Sequence, residues 1–310
     1  MLRPDGPGGV KVNAMLPGEA NADRFDQLAL ERAVRSLCKV GIRRAPLSLE
    51  RVKSWINQFE GACEKSLAWL ILRHLVYRTG EQLESSLRQA LKDAATHFIR
   101  SAEVSEEVHW RDALAGRIKG LCFYCGPPNV DGVTKPGKSG EVVTRIVNRN
   151  YGIDKYYPHD VSQFAPDERY LVVDDGAYTG VQLVSFLEGW RNDYSDGKVA
   201  VVVGLAHTHA IKTLHERFPS VPLFYGELMA EKNSLQSLSE QWVADGQWTH
   251  RGVTPRDVYA DICRRRGPFG MATEGFGSLG LMVAFEHGVP DDSLHLLWNK
   301  SASWTPLIER

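Results

Sequence analysis

After Ser48 the apolar residues fall at Val52, Trp55, Ile56 and Phe59. That is the i, i+3, i+4, i+7 stripe of an amphipathic helix, and Ser48 is placed to cap it. A second stripe runs through Leu67, Leu70, Ile71, Leu75 and Val76, and a third through Leu83, Leu87, Ala90, Leu91, Ala94 and Phe98. Thr79-Gly-Glu-Gln82 has the spacing of a capping box and predicts the start of the third helix. Near residue 117 the period changes. The pattern predicts a strand over 118–125, a helix over 141–148, a buried strand over 170–173 and a helix over 180–190. A strand over 199–205, a helix through Leu214, and strands near 221–225 and 279–285 follow. This alternation predicts an α/β fold, a mostly parallel sheet flanked by helices, behind an N-terminal helical region. The chain then divides into an arm at 1–23, rich in Gly, Pro, Asn and Asp, a helical region at 24–116 and an α/β domain at 117–310.

Composition narrows the classes. A hydrophobic fraction of 43% over 310 residues allows a sizeable core. Lys plus Arg (37) balances Asp plus Glu (38), so no global charge draws the chain to nucleic acid or an anionic membrane. An odd set of five cysteines does not read as a secreted disulfide framework. No apolar run approaches the roughly 18–20 residues that span a bilayer, and the N-terminus has no apolar signal core. A cytoplasmic protein without a membrane partner is expected.

The chemistry concentrates in Tyr170-Leu-Val-Val-Asp174-Asp175-Gly176-Ala177-Tyr178-Thr179-Gly180-Val181-Gln182. A buried strand is expected to end in two acids, followed by a short loop and a helix. Ligands of open α/β sheets bind beyond the C-terminal ends of strands. The unpaired N–H groups and dipole of a helix start favour an anion. Gly176 and Gly180 let backbone close around a phosphate, and Thr179 adds a hydroxyl donor. Asp174 and Asp175 are suited to accept from vicinal ribose hydroxyls and to hold Mg²⁺, in part through its waters.

This segment resembles the phosphoribosyl pyrophosphate loop of type I phosphoribosyltransferases, in which Asp-Asp, three residues, Thr-Gly, one residue and a Ser or Thr follow in order. Gln182 stands at the last position. The chain is more similar to the phosphoribosyltransferase-like proteins of bacterial conflict and anti-phage systems. Their N-terminal motif is matched by Trp55-Ile-Asn-Gln-Phe59 and their C-terminal one by Pro290-Asp-Asp-Ser-Leu-His-Leu-Leu-Trp298, followed by Trp304-Thr-Pro-Leu307. Asp291 and Asp292 replace the family's asparagines. The resemblance implies binding of phosphoribosyl pyrophosphate or a nucleotide with Mg²⁺, and glycosyl transfer or N-glycosidic cleavage at C1. It assigns Gly176, Ala177, Tyr178, Thr179, Gly180 and Gln182 to the 5-phosphate and ribose. Lys138, Ser139 and Gly140 fall to a pyrophosphate loop, with Lys138 beside Asp174 and Asp175 in catalysis. A protein or nucleic-acid partner within a defence system is implied as well.

Two other readings stay open. Gly132-Val-Thr-Lys-Pro-Gly-Lys138-Ser139 matches the phosphate loop of P-loop nucleotidases, with the strand ending at Asp174-Asp175 as their second motif. Pro127 and Pro128 interrupt the strand that should feed such a loop. A binding role without turnover, as sensor or subunit, is the other. Cys122-x-x-Cys125 and His207-Thr-His209 lack partners in sequence that would make them metal sites, and Arg264-Arg-Arg266 reads as a solvated basic face, with a phosphate or nucleic-acid contact as the alternative.

Overall fold

The computed structural model describes residues 17–102, 108–128, 139–155, 164–189, 197–267 and 273–309, and side chains from Leu28 onward. Ser48 caps helix α2 (Leu49–Ile56) by accepting from the Arg51 N–H, and Thr79 and Gln82 close the capping box that starts α4 (Gly80–Ser101). Helix α1 spans Pro17–Lys39, so residues 17–23, expected as part of an arm, are helical. Residues 1–16 lie outside the described residues. Helix α3 (Gly61–His74) stops before Leu75 and Val76. The stripe that seemed to carry the helix through them is instead strand β1 (Val76–Arg78), paired with β7 (Val283–Phe285) in a small parallel sheet.

The larger sheet is parallel, with order β3-β2-β4-β5-β6. Its strands are β2 (Cys122–Gly126), β3 (Asp154–Lys155), β4 (Glu168–Ala177), β5 (Val199–His207) and β6 (Leu223–Met229). After a short α5 (Trp110–Leu114), the chain enters at β2 and runs through α6 (Ser139–Tyr151) to β3 on one side. It then crosses to β4 and proceeds through α7 (Val181–Gly189), β5 and α8 (Thr208–Arg217) to β6. The direction of winding reverses between β2 and β4. Leu171, Val173, Ala200 and Val202 face Leu83 and Leu87 of α4 and Val143 and Val147 of α6. Tyr170, Val172, Val201 and Val203 face Leu183, Phe186 and Leu187 of α7 and Ala210 and Leu214 of α8. The fold is thus the expected α/β sheet with helices on both faces.

The expected boundary at residue 117 does not coincide with a break in packing. Helix α4 is one of the layers covering the large sheet. Helices α1–α3 share a core with α9 (Leu235–Ala244), α10 (Pro255–Arg266) and the C-terminal segment through α11 (His295–Trp298). The two family-like motifs form this joint. Trp55 packs edge-on to Phe59 and Trp304, with centroids 4.7 and 6.0 Å away, and both indoles donate to the Leu296 carbonyl at 3.2 and 3.0 Å. Gln58 exchanges two hydrogen bonds with the Thr305 backbone.

Helix α4 sits so close to the sheet that β6 must carry a glycine. A Cβ on Gly226 would fall 2.2 Å from the Ser86 carbonyl oxygen. Backbone cannot rotate aside as a side chain would, so Gly226→Ala is expected to destabilise the fold by about 1–3 kcal/mol, read from urea unfolding.

Candidate functional site

In a doubly wound sheet the crevice opens where the strand order reverses, beyond the strands' C-terminal ends. Here that point lies between β2 and β4, and three stretches of chain converge on it. Gly140, at the start of α6, lies against the residue that follows β2, where a Cβ would come 2.6 Å from the Pro127 Cβ. The Ser139 hydroxyl donates to Asp174 Oδ1 at 2.9 Å, and the Asp175 N–H donates to the same oxygen at 2.9 Å. The Gln182 amide donates to the Pro128 carbonyl at 3.2 Å and ties the first turn of α7 to the end of β2. Ser139 and Gly140 are therefore brought to the acid pair. Lys138 and the rest of Gly132–Ser139 before Ser139 lie outside the described residues.

Strand β4 does not end at the two acids but continues through Ala177, with Gly176 opposite Leu205 and Ala177 opposite Ala206 of β5. The turn is only Tyr178, Thr179 and Gly180. Both carboxylates are buried. Burial, and then the charge of Asp175, hold the Asp174 carboxyl well above the ordinary carboxylate range.

The turn is built by exclusion. Gly180 has φ +79°, and a Cβ there would meet the Ala210 Cα of α8 at 3.2 Å. Tyr178 folds back across Gly176, whose Cβ would stand 2.4 Å from the Tyr178 hydroxyl oxygen. The Tyr178 ring belongs to the core on the α4 side, so only its backbone is available to a ligand in the turn. Its buried hydroxyl has no hydrogen-bond partner among the described residues.

Two side chains complete the site that the loop motif did not mark. His287, just after β7, places Nε2 2.8 Å from Asp175 Oδ2, and its ring stacks on Phe285 at a centroid distance of 5.1 Å. Asp292 lies near Thr179, and its pKa is raised to about 6, chiefly by burial. No local pattern announces His287, because its role comes from the β1–β7 pairing. Asp292 lay inside the Pro290–Trp298 motif, and that was the available signal. Beside His287 a cavity of about 330 Å³ opens between the first turn of α4 and one side of α6, with Leu83, Val142 and Ile146 among its walls.

Among the described residues, no three His, Cys, Asp or Glu side chains converge as a metal-ligand set. Asp174 and Asp175 supply two adjacent carboxylates, the number Mg²⁺ commonly takes from protein when waters and substrate phosphates provide the rest. The donor set therefore fits that ion. The discounted motifs have structural explanations. His207 is buried and caps α8, and burial pushes the Cys125 thiol up to about 12. Arg265 and Arg266 pair with Glu64 and Glu60 near the start of α3. No described helix is long and apolar enough to cross a membrane.

A family model described as PRTase-CE matches residues 52–310. The match takes in α4, both sheets and all the site residues. No curated protein matches the chain.

Proposed function

The chain belongs to the PRTase-CE family, a phosphoribosyltransferase-like family, and we propose that it transfers or cleaves a glycosidic group at C1 of a ribosyl 5-phosphate. The carrying observation is the joining of Ser139, at the start of α6, to Asp174, ahead of the Thr179-Gly180 turn, at the point where the winding reverses. The 5-phosphate lies at the turn and the start of α7, where backbone N–H groups face it. Asp174 and Asp175 hold the ribose hydroxyls, and His287 orients Asp175. Ser139, Gly140 and Lys138 take the pyrophosphate, Lys138 as a point charge. Mg²⁺ held by Asp174 and Asp175 would neutralise charge on that leaving group.

Phosphate and C1 sit at opposite ends of a ribose. With the phosphate on the α7 face, C1 points toward the α4–α6 face, where the 330 Å³ cavity takes the acceptor. The C1–O bond to pyrophosphate breaks, the acceptor bonds to C1 and loses its proton, and pyrophosphate departs. Catalysis on this scheme is positioning plus stabilisation of developing charge. A role in anti-phage defence, with a protein or nucleic-acid partner, extends the reading and rests on the resemblance of the two terminal motifs alone.

The test is mass spectrometry of a metabolite extract incubated with Mg²⁺, phosphoribosyl pyrophosphate and the protein, beside Asp174→Asn. A nucleotide or base that changes only with the unsubstituted protein supports the enzyme. Binding without any such change favours a sensor or subunit. The Ser139–Asp174 hydrogen bond also suits a P-loop nucleotidase, whose loop hydroxyl sits beside a strand-end acid. ATP hydrolysis lost in Lys138→Ala but kept in Thr179→Val would establish that reading instead.

A further inference from the structure

Gln182 stands where the resemblance expects a hydroxyl on the 5-phosphate, yet its amide is spent elsewhere. Nε2 donates to the Pro128 carbonyl at 3.2 Å. The residue is otherwise exposed, so packing does not account for its side chain. Pro127 and Pro128 offer no N–H, so a side chain that fastens this stretch must donate to a carbonyl. An amide carried on two methylenes reaches across from α7 to do so. A Ser or Thr hydroxyl, bonded directly to Cβ, would stay over its own turn.

The two prolines in turn set where α6 begins. A Cβ on Gly140 would come 2.6 Å from Pro127 Cβ and 3.5 Å from Pro128 Cδ, a contact with no slack. Buried Thr144, one turn on, donates to the Gly140 carbonyl at 2.7 Å and keeps the glycine within the helix. On the other side the Ser139 hydroxyl donates to Asp174 Oδ1 at 2.9 Å. The start of α6 is therefore held from two sides, by β4 through Ser139 and by α7 through Gln182 and the prolines.

We infer that Gln182 is a positioning residue for the leaving-group end of the substrate: it acts on the pyrophosphate through Pro128 and the start of α6, and does not bind the 5-phosphate. The inference rests on the reading of the Thr179-Gly180 turn as the 5-phosphate site and of Ser139-Gly140 as part of the pyrophosphate site.

Gln182 lies in the first turn of α7, the turn whose N–H groups face the 5-phosphate on that reading. Its bond to Pro128 thus fixes the spacing between the two phosphate sites. A ligand that carries both phosphates gains from a spacing set in advance, whereas a ligand with the 5-phosphate alone does not.

The test is calorimetric titration of the full chain, of Gln182→Met and Gln182→Ala, and of Thr179→Val, each with ribose 5-phosphate and with phosphoribosyl pyrophosphate in Mg²⁺. Methionine keeps the length and helix propensity of glutamine and removes only the donor. Both Gln182 substitutions are expected to weaken phosphoribosyl pyrophosphate about fivefold, the scale of one hydrogen bond, and to leave ribose 5-phosphate within about twofold. Thr179→Val is expected to weaken both ligands alike. Equal weakening of both ligands by Gln182→Met would make Gln182 a ligand of the 5-phosphate and overturn the inference. Unchanged affinity for both would overturn it as well, since the bond to Pro128 would then position nothing. Ribose 5-phosphate that does not bind the unsubstituted protein, or that binds Thr179→Val equally well, would overturn the 5-phosphate site itself, and the inference with it.

Discussion

Asp174→Asn is expected to lower turnover by about 100- to 1,000-fold, the scale on which a single electrostatic group in an active site counts, and at the same time to make the protein more stable. The two effects have one cause. Asp174 is buried against Asp175, and its carboxyl is held well above the ordinary range by that burial and that neighbour. The charge is costly to the fold. An asparagine keeps what the fold uses: its Oδ1 can still accept from the Ser139 hydroxyl and the Asp175 N–H. Its amide can donate to Asp175 where two carboxylates otherwise oppose each other. The substituted protein should gain on the order of 0.5–2 kcal/mol in unfolding free energy at pH 7. Thermal and urea unfolding beside the turnover assay read both quantities. Loss of activity with loss of stability would mean that Asp174 supports the fold rather than the chemistry.

The stability of the unsubstituted protein relative to Asp292→Asn is expected to fall as pH rises from about 4 to about 6, and then to level. Asp292 has its folded-state pKa raised from 3.8 to about 6, chiefly by burial. In that window the native state keeps a proton that the unfolded chain has released, so raising the pH favours unfolding. A shift of that size corresponds to about 3 kcal/mol across the window. Asp174 is shifted in the same direction, while Glu227 is lowered by its Arg78 partner and pulls the opposite way. Both remain in the Asp292→Asn protein, so the difference between the two unfolding curves isolates Asp292. A difference that does not vary with pH between 4 and 6 would show that Asp292 is not held in the buried setting described.

What could be read from the sequence was local. Ser48 and Thr79-Gln82 act through hydrogen bonds to residues three positions away, and both caps form as their spacing predicts. The Val199–His207 strand is buried along its whole length, and its first seven residues read as an unbroken apolar run. Helix α10 had a similar signal, Thr254-Pro255-x-Asp257, in a capping box with proline in its first turn, yet its place against α3 follows from non-local packing. The continuation of β4 through Ala177 depends on pairing with Leu205 and Ala206, partners far off in sequence. Val76 was drawn into a helical stripe because only its pairing with Val283 makes it a strand. The same holds in the site. The Asp174–Gln182 segment was legible because strand, turn and helix start are contiguous. His287 and Asp292 arrive from the other end of the chain, and no spacing rule links them to Asp175 or Thr179.

On the proposed function a ribosyl 5-phosphate binds at the Thr179-Gly180 turn. The most direct measurement is ³¹P NMR of phosphoribosyl pyrophosphate with Mg²⁺, since its ester and pyrophosphate phosphorus signals are resolved and line broadening reports even weak binding. The protein is expected to broaden the 5-phosphate signal, and Thr179→Val to remove this broadening while leaving the fold intact by circular dichroism. A 5-phosphate signal that stays sharp, or one broadened equally by the Thr179→Val protein, would contradict it.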